Sequence, residues 1–294
     1  MRPHADLWVV VPCYNEEKRV TDTLRALAAQ TDGDFTLLLV DNGSTDRTRA
    51  VIGEFFGAPI PDPSPAERGK GAPTRSACDN SDATSSSSLP LLAGEGSGMG
   101  ASAAWHIISE PQKGTGAASD TGFRYAIAHG ARWIARTDAD CLPDRHWIAR
   151  IRAAFVTEGL EFVAGHIVPR DDDERLTLLD RLLIPAIVWA AHIIGRMRRH
   201  GPQFRYPYFV VAGNNLAVSA DLYERAGGFP RTAIEQVHED RQLSERIRTL
   251  TDRARLNRRM IVYNSTRRLK RYGYRRTLLW YFDHLSVPEE VDVR

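Results

Sequence analysis

Cysteine is scarce in this sequence, and no two cysteines stand at metal-binding spacing. Its 294 residues include only Cys13, Cys78 and Cys141. An odd number of cysteines without a C-x-x-C pair argues against a disulfide framework and favours a reducing compartment. Because 43% of the residues are hydrophobic, a chain of this length can bury a full core without such cross-links.

Long hydrophobic runs are also missing. The longest apolar stretch, Leu182 to Gly195, has 14 residues and contains Pro185 and His192, whereas a membrane-spanning helix needs about 20. The amino terminus reaches a strand-like run without a signal-peptide pattern. We therefore expect a cytoplasmic protein, and peripheral contact with the inner face of the cell membrane remains open.

Charge of one sign is not in excess over the whole chain, but it is unevenly placed. A net charge of +2 argues against a nucleic-acid binder. From Arg241 to Arg276, 13 lysines and arginines accompany two acids, Glu245 and Asp252. This basic block fits a diphosphate, a phosphorylated acceptor or an anionic lipid, and it fits equally a solvated face. The helix predicted over 176–195 fits a membrane surface, core packing or a homodimer contact.

The apolar periodicity predicts an α/β fold with a doubly wound, mostly parallel sheet. Buried strands alternate with segments of helical spacing, an order that implies right-handed crossovers. The predicted strands are Leu7–Pro12, Phe35–Val40, Trp105–Ser109 and Arg132–Thr137, and the predicted helices are Glu16–Gln30, Asp46–Phe56, Gly116–His129 and Asp144–Phe155. Further helices are predicted after Ser219 and over Glu239–Leu250, which makes the carboxyl-terminal part helical and basic.

One segment interrupts this pattern. From Gly57 to Ala104, 31 of 48 residues are Gly, Ala, Ser or Pro. Such a composition buries too little apolar surface to offset the entropy of ordering the chain. We therefore predict a disordered insertion over residues 57–104.

Three polar clusters directly follow predicted strands. They are Pro12–Glu16, Asp41–Asp46 and Asp138-Ala139-Asp140. An acid after a strand is often only a helix cap. In an open parallel sheet, however, ligands bind beyond the carboxyl ends of the strands, and three clusters at that edge predict a binding site.

The spacing of Asp138 and Asp140 indicates a particular chemistry. Two carboxylates two positions apart in extended backbone can lie on either side of a crevice, where one can hold a hard divalent cation and the other can bond a ribose hydroxyl or the metal's water. A cation there would neutralise a diphosphate and stabilise it as a leaving group.

The ordered set of motifs resembles one family. VVVPCYNEE, LLVDNGSTD, QKGTGAA, TDAD, GNN, GGF and HED follow one another as in the family 2 glycosyltransferases, and the similarity runs from about residue 7 to residue 250. It implies the nucleotide-sugar-binding fold called GT-A, with a catalytic domain over 1–250 and a basic extension over 251–294 that is packed on the domain or continuous with it.

The resemblance also implies a role for each matching residue. Asp240 is the catalytic base with Glu239 beside it, Asp140 is the ligand of Mg²⁺ or Mn²⁺, and Asp138 approaches the ribose. The residues implied to bind the rest of the nucleotide sugar are Pro12, Tyr14 and Glu16 in the nucleotide pocket, Asp41 at the base, Lys113 and Gly114 beside ribose and phosphate, and Gly228 beneath the sugar.

Two departures from the family pattern refine the expected reaction. Asn42 stands where the family often has a second acid, so the role of that carboxylate is missing or not needed. The QxxRW motif of processive synthases is absent, because Gln242 is followed by Leu-Ser-Glu-Arg. The expected reaction is therefore the inverting transfer of one sugar from a UDP- or GDP-sugar to an unidentified acceptor hydroxyl, with lipid-linked and phosphorylated acceptors both open.

Rival functions make different demands on the sequence. A nucleotidyltransferase of similar fold needs a basic, glycine-rich signature where this chain has PCYNEE. An inactive nucleotide-sugar-binding protein would have lost Asp138, Asp140 or Asp240, and all three are present. A dinucleotide-binding oxidoreductase needs GxGxxG after its first strand, which this chain does not have.

Overall fold

A computed structural model describes residues 5–57, 92–94, 104–170, 200–231 and 239–267, together with 177, 183, 186, 189–190 and 192–197. The strands are β1 (Leu7–Cys13), β2 (Thr36–Asp41), β3 (Leu92–Gly94), β4 (Trp105–Ser109), β5 (Trp133–Arg136), β6 (Cys141–Pro143), β7 (Phe162–Pro169), β8 (Leu216–Ser219) and β9 (Ala254–Asn264). The helices are α1 (Val20–Ala28), α2 (Thr48–Phe56), α3 (Thr115–Ala128), α4 (Trp147–Val156), α5 (Ala220–Arg225) and α6 (Glu239–Leu250).

The strands form one sheet in the order β3-β4-β2-β1-β5-β8-β7-β9-β6. The segment β4-β2-β1-β5 is parallel, as the strand–helix alternation predicts. Beyond β5 the sheet is mixed: β8 runs antiparallel to both β5 and β7, β7 and β9 are parallel, and β6 is antiparallel to β9. The predicted α/β class is confirmed, with a sheet that is parallel in the half that carries the acidic clusters.

Helices cover both faces of the sheet, which explains why β1 and β2 are buried along their whole length. Leu7, Val9 and Val11 of β1 pack with α1, α2 and α4 on one face. Trp8 and Val10 pack with α3, α5 and α6 on the other. Alternate side chains of a strand point to opposite faces, so a continuous apolar run serves both layers.

Local signals for helix ends are borne out by the backbone. The Ser219 hydroxyl accepts a hydrogen bond from the Leu222 amide at the start of α5. Gly130, after α3, has φ +90°, and Gly227 and Gly228, after α5, have φ +76° and +73°. These left-handed conformations favour glycine because it has no Cβ.

The carboxyl-terminal part, which the sequence predicts as helical, contains a long strand. Strand β9 falls in the segment predicted as an extension of the catalytic domain, and it pairs with β7 and β6 inside the sheet. The apolar pattern does not predict this strand because Arg255, Arg258 and Arg259 interrupt it. The extension is therefore continuous with the domain through Asn264.

Several predicted segments lie wholly or largely outside the described residues. Of the insertion predicted over 57–104, the structure describes residues 57, 92–94 and 104, and β3 pairs antiparallel with β4. Of the helix predicted over 176–195, residues 192–195 are described as helical, together with four isolated positions before them. Residues 268–294 lie outside. Among the described residues, no helix is long and apolar enough to cross a bilayer.

Candidate active site

The loops that follow β1 and β2 are tied together at the carboxyl edge of the sheet. The register places Cys13 beside Asp41, and Pro12 lies one position earlier, buried beside Val40. The Asn15 carboxamide, on a residue with φ +54°, accepts a hydrogen bond from the Thr45 amide at 2.8 Å. These contacts bring the first two predicted clusters to one place, with Tyr14 half-buried between them.

Asp41 ends β2 and is fully buried. One carboxylate oxygen lies 3.3 Å from Nη1 of Arg49, and the other accepts from the Ser44 amide at 3.2 Å. The same Arg49 nitrogen donates to the Ser109 hydroxyl at 2.9 Å, at the end of β4. Asp41, implied to bond the base, therefore carries its own buried counter-ion.

Asn42 fixes the loop that carries Lys113 and Gly114. Its side-chain nitrogen, Nδ2, donates to the main-chain carbonyl oxygens of Glu110, at 2.9 Å, and Gln112, at 2.7 Å. Its carbonyl oxygen accepts from the Gly114 amide at 2.9 Å. Lys113 is exposed on this loop. Helix α3 begins at Thr115, directly after Gly114. Its positive amino-terminal end therefore lies beside Gly114 and suits an anion.

Arg136 joins the third cluster to the acids of α6, and it was not singled out from the sequence. The guanidinium is 2% exposed and lies 3.1 Å from an Asp138 oxygen and 3.4 Å from a Glu239 oxygen. Its centre is 5.6 Å from the centroid of the Phe229 ring. The only available signal was an arginine ending the otherwise apolar strand WIAR directly before the acidic motif.

Asp240 is held by two main-chain amides. One carboxylate oxygen accepts from Gly213 at 3.0 Å, and the other accepts from Arg241 at 2.7 Å. Burial raises the pKa of Asp240, and the nearby Arg136 charge opposes part of that rise. Burial likewise raises the pKa of Glu239, again against Arg136. A carboxylate with a raised pKa is a stronger base, which suits proton abstraction near neutral pH.

Asp140 faces a cation of the chain itself. One of its oxygens lies 2.9 Å from Nη2 of Arg267, and Arg267 also donates to both oxygens of Glu16, one at 3.1 Å. Arg170 donates to the main-chain oxygen of Asp140 at 3.3 Å. Arg267 follows β9 and was predicted only as part of the basic block.

The donor set around Asp140 fits a divalent cation. The guanidinium shows that a positive charge is accommodated there, and the side chains of Asp138 and Asp140 are 31% and 17% exposed. No group of three or more Asp, Glu, His or Cys side chains poised for a metal occurs in the described part of the chain. Proteins usually bind Mg²⁺ through one or two carboxylates, and substrate phosphates and water complete the coordination.

Gly228 lies in a loop that packs against the start of α3. A Cβ at Gly228 would come within 2.5 Å of the Asp120 carboxylate, and one at Gly116 within 2.4 Å of the Pro230 carbonyl oxygen. The Phe229 amide donates to the Tyr223 hydroxyl at 2.9 Å. The loop is thus fixed beside the Arg136 cluster. Residues 232–238, which precede Glu239, lie outside the described residues.

Comparisons with known proteins point to one family. The model of “Glycosyl transferase family 2” matches residues 8–72 and 101–264. The glycosyltransferase AglE of Haloferax volcanii is 25% identical over 161 residues, which cover 54% of this chain and 38% of that protein. The chain therefore matches well under half the length of this curated relative.

Solved structures with a similar fold include two that carry nucleotide sugars. TarS 1-349 of S. aureus in complex with UDP-GlcNAc has a TM-score of 0.53 and 14% identity, covering 88% of this chain and 58% of that one. The mannosyltransferase PcManGT of Pyrobaculum calidifontis, in complex with GDP-Man and Mn²⁺, has a TM-score of 0.54 and 19% identity, covering 89% and 57%. At these identities the likeness concerns the fold.

Proposed function

Since the chain belongs to glycosyl transferase family 2 and has the GT-A fold, we propose that it transfers a single sugar from a UDP- or GDP-sugar to an acceptor hydroxyl, with inversion at the anomeric carbon. One observation carries the proposal. Asp138, Arg136, Glu239 and Asp240 form one cluster at the carboxyl edge of the sheet, although Arg136 and Glu239 are 103 positions apart.

The donor would lie along this edge in a defined direction. Asp41, with Arg49 behind it, would receive the base, and Pro12, Tyr14 and Glu16 would line the nucleotide pocket. The phosphates would pass the start of α3, with Lys113 and Gly114 next to them. The sugar would then lie between Asp138 and the Gly228 loop.

Proton transfer would fall to Asp240. In a single displacement, the acceptor hydroxyl attacks the anomeric carbon from the face opposite the leaving diphosphate and must lose its proton as it does so. The Gly213 and Arg241 amides hold the Asp240 carboxylate in place, and its raised pKa keeps it basic. Glu239 and Arg136 position it, since Arg136 balances the charge of both acids.

Asp140, with Asp138 beside it, would hold Mg²⁺ or Mn²⁺. When bound, the cation would neutralise charge on the departing diphosphate. The complex of the related mannosyltransferase with GDP-Man and Mn²⁺ supports this assignment.

A donor panel tests the proposal. UDP- and GDP-sugars are incubated with the protein and candidate hydroxyl acceptors, with Mn²⁺, Mg²⁺ or a chelator, and released nucleoside diphosphate is measured. We expect release from one donor class, dependent on the divalent cation, and a product of inverted anomeric configuration by NMR. Release of inorganic diphosphate instead would indicate a nucleotidyltransferase, and a retained anomer would exclude the single displacement.

A further inference from the structure

Arg267 joins two acids that belong to different loops of the site. Its guanidinium binds Glu16, after β1, and Asp140, after β5. All three side chains are largely enclosed, with exposures of 8%, 7% and 17%. The guanidinium lies between two carboxylates, one of which is 251 positions away along the chain. The arrangement therefore depends on the whole fold and is not a surface ion pair.

The charge of the acids assigned to this edge favours such a cation where an anionic ligand enters. Three buried arginines, Arg49, Arg136 and Arg267, contact five of the six acids assigned to the site. The six acids are Glu16, Asp41, Asp138, Asp140, Glu239 and Asp240. These six acids outnumber the three arginines that contact them, so a diphosphate gains from each positive charge that turns towards it.

The three arginines are not equally placed to meet the diphosphate. Arg49 is tied to Asp41 and Ser109 at the base end, and Arg136 lies between Asp138 and Glu239 against the Phe229 ring. Arg267 instead lies between the first loop and Asp140, where the phosphates of a donor directed from Asp41 towards Asp138 would pass.

Resting on the proposed function, we propose that Arg267 is a ligand of the donor's diphosphate, and that a divalent cation competes with it for the Asp140 carboxylate. Without donor, the guanidinium holds Glu16 and Asp140. When a cation binds Asp140, the Arg267 guanidinium turns to the phosphate oxygens. It can form bidentate hydrogen bonds with a phosphate group, as it does with a carboxylate. Arg267 and the cation then share the charge of the leaving group.

Binding measurements on the full chain test this without turnover. The affinity for UDP and GDP is measured by calorimetry in EDTA and at saturating Mn²⁺, and the affinity for Mn²⁺ alone by electron paramagnetic resonance. In Arg267→Met we expect nucleoside diphosphate affinity at saturating Mn²⁺ to fall about tenfold or more, since a charge-assisted hydrogen bond is lost. Mn²⁺ alone should bind several-fold more tightly, because its competitor is gone.

Two further variants separate this role from a structural one. Arg152, which also contacts two acids, Asp32 and Asp34, is remote from the site, so Arg152→Met should change neither affinity. Arg267→Lys should recover part of the diphosphate affinity through its charge. A merely structural Arg267 would instead weaken Mn²⁺ and diphosphate binding together, and that result would overturn the proposal.

If Arg267→Met does not fold, Asp140→Asn decides the question. This change releases the guanidinium from one acid, and affinity for the diphosphate in EDTA should rise at least threefold. No rise would overturn the proposal. If the wild-type chain with Mn²⁺ binds no nucleoside diphosphate, both the proposed function and this inference fail; if it binds and Arg267→Met binds equally well, only this inference fails.

Discussion

The Asn42 side chain uses both its donor and its acceptor. It donates to the carbonyl oxygens of Glu110 and Gln112 and accepts from Gly114. A carboxylate at this position could accept but could not donate. The position where the resemblance leads one to expect a second acid therefore has a different task here, which is to hold the loop beside the phosphates.

We predict that Asn42→Asp destabilises the chain and weakens donor binding. The new carboxylate would face two carbonyl oxygens, which costs about 1–3 kcal/mol in free energy of unfolding. Urea unfolding and calorimetric titration with the donor nucleotide measure the two effects. Asn257→Asp is the matched control, because the Asn257 side-chain oxygen accepts from the Arg259 amide and a carboxylate can do the same. Equal loss in both variants would contradict the argument.

A second prediction concerns Asp240→Asn. The amide retains the shape of the side chain but cannot take a proton, so turnover should fall by about 10²–10⁴ while donor affinity changes little. Steady-state release of nucleoside diphosphate and calorimetry with the donor measure the two quantities. Near-normal turnover would remove Asp240 from the role of base.

The pH dependence of transfer follows from the same residue. Because the pKa of Asp240 is raised, the base is protonated and inactive at low pH, and the rate rises with pH through that raised pKa. Arg136 opposes the rise, so in Arg136→Met the acidic limb of the kcat profile should move to higher pH. Arg136→Lys, which retains the charge, should move it less. An unchanged profile in Arg136→Met would contradict this coupling.

These residues also show how far the sequence can be interpreted. The positions of Asp138, Asp140 and Asp240 in the fold could be predicted, because each stands beside a strand or helix end that the apolar pattern locates. Arg136 and Arg267 could not, because their importance lies in partners far away along the chain. A run of basic residues predicts a charged, exposed face. In the folded chain, however, two members of that run, Arg248 and Arg267, are buried.

At the scale of elements, strong apolar runs made β1, β2 and β4 predictable almost to the residue, and α6 has the predicted bounds. Strand β9 was missed because its pairing with β7 overrides a sequence that alternates poorly and carries arginines. The antiparallel β8 was missed for a related reason, since four residues give no period to recognise.

The contact between α3 and the glycine loop yields an element-scale prediction. In Gly116→Ala the new Cβ would lie within 2.4 Å of the Pro230 carbonyl oxygen, which belongs to the backbone and cannot turn aside. We expect a loss of about 1–3 kcal/mol in free energy of unfolding and a raised KM for the donor, because the loop must shift. Ala128→Ser, which adds one atom at an exposed position of the same helix, serves as control. If the free energy of unfolding changes and the KM for the donor does not, the glycine loop takes no part in donor binding.

At the scale of the whole molecule, the described part of the basic block, up to Arg267, does not form one continuous surface. Arg246 donates to the Gly228 carbonyl oxygen, Arg248 lies 3.9 Å from the centroid of the Phe204 ring, and Arg267 lies in the site. Exposed arginines remain on β9, at positions 255, 258 and 259. Contact with an anionic surface would therefore depend on these residues or on those after Arg267.

We predict binding to vesicles that contain anionic lipid, and a steep loss of that binding with added salt. Each basic residue near such a surface contributes about 1 kcal/mol, and screening removes it. Replacing Arg268, Lys270 and Arg271 by Gln should weaken sedimentation with the vesicles more than replacing Arg255, Arg258 and Arg259. If the protein binds neutral vesicles equally well, or binds neither kind of vesicle, the basic block is a solvated face and not a membrane contact.

The pairing of Glu16 with Arg267 also bears on how the protein is made. The two residues are 251 positions apart, and ribosomes add roughly 5–20 residues each second. Glu16 therefore waits roughly 13–50 s for the arginine that neutralises it. During that interval the nascent chain presents Glu16, and later Asp140, without this partner. A transcript cut short after β9 but before Arg267 would yield a chain whose incomplete site should take up free metal ions more readily than the finished enzyme does.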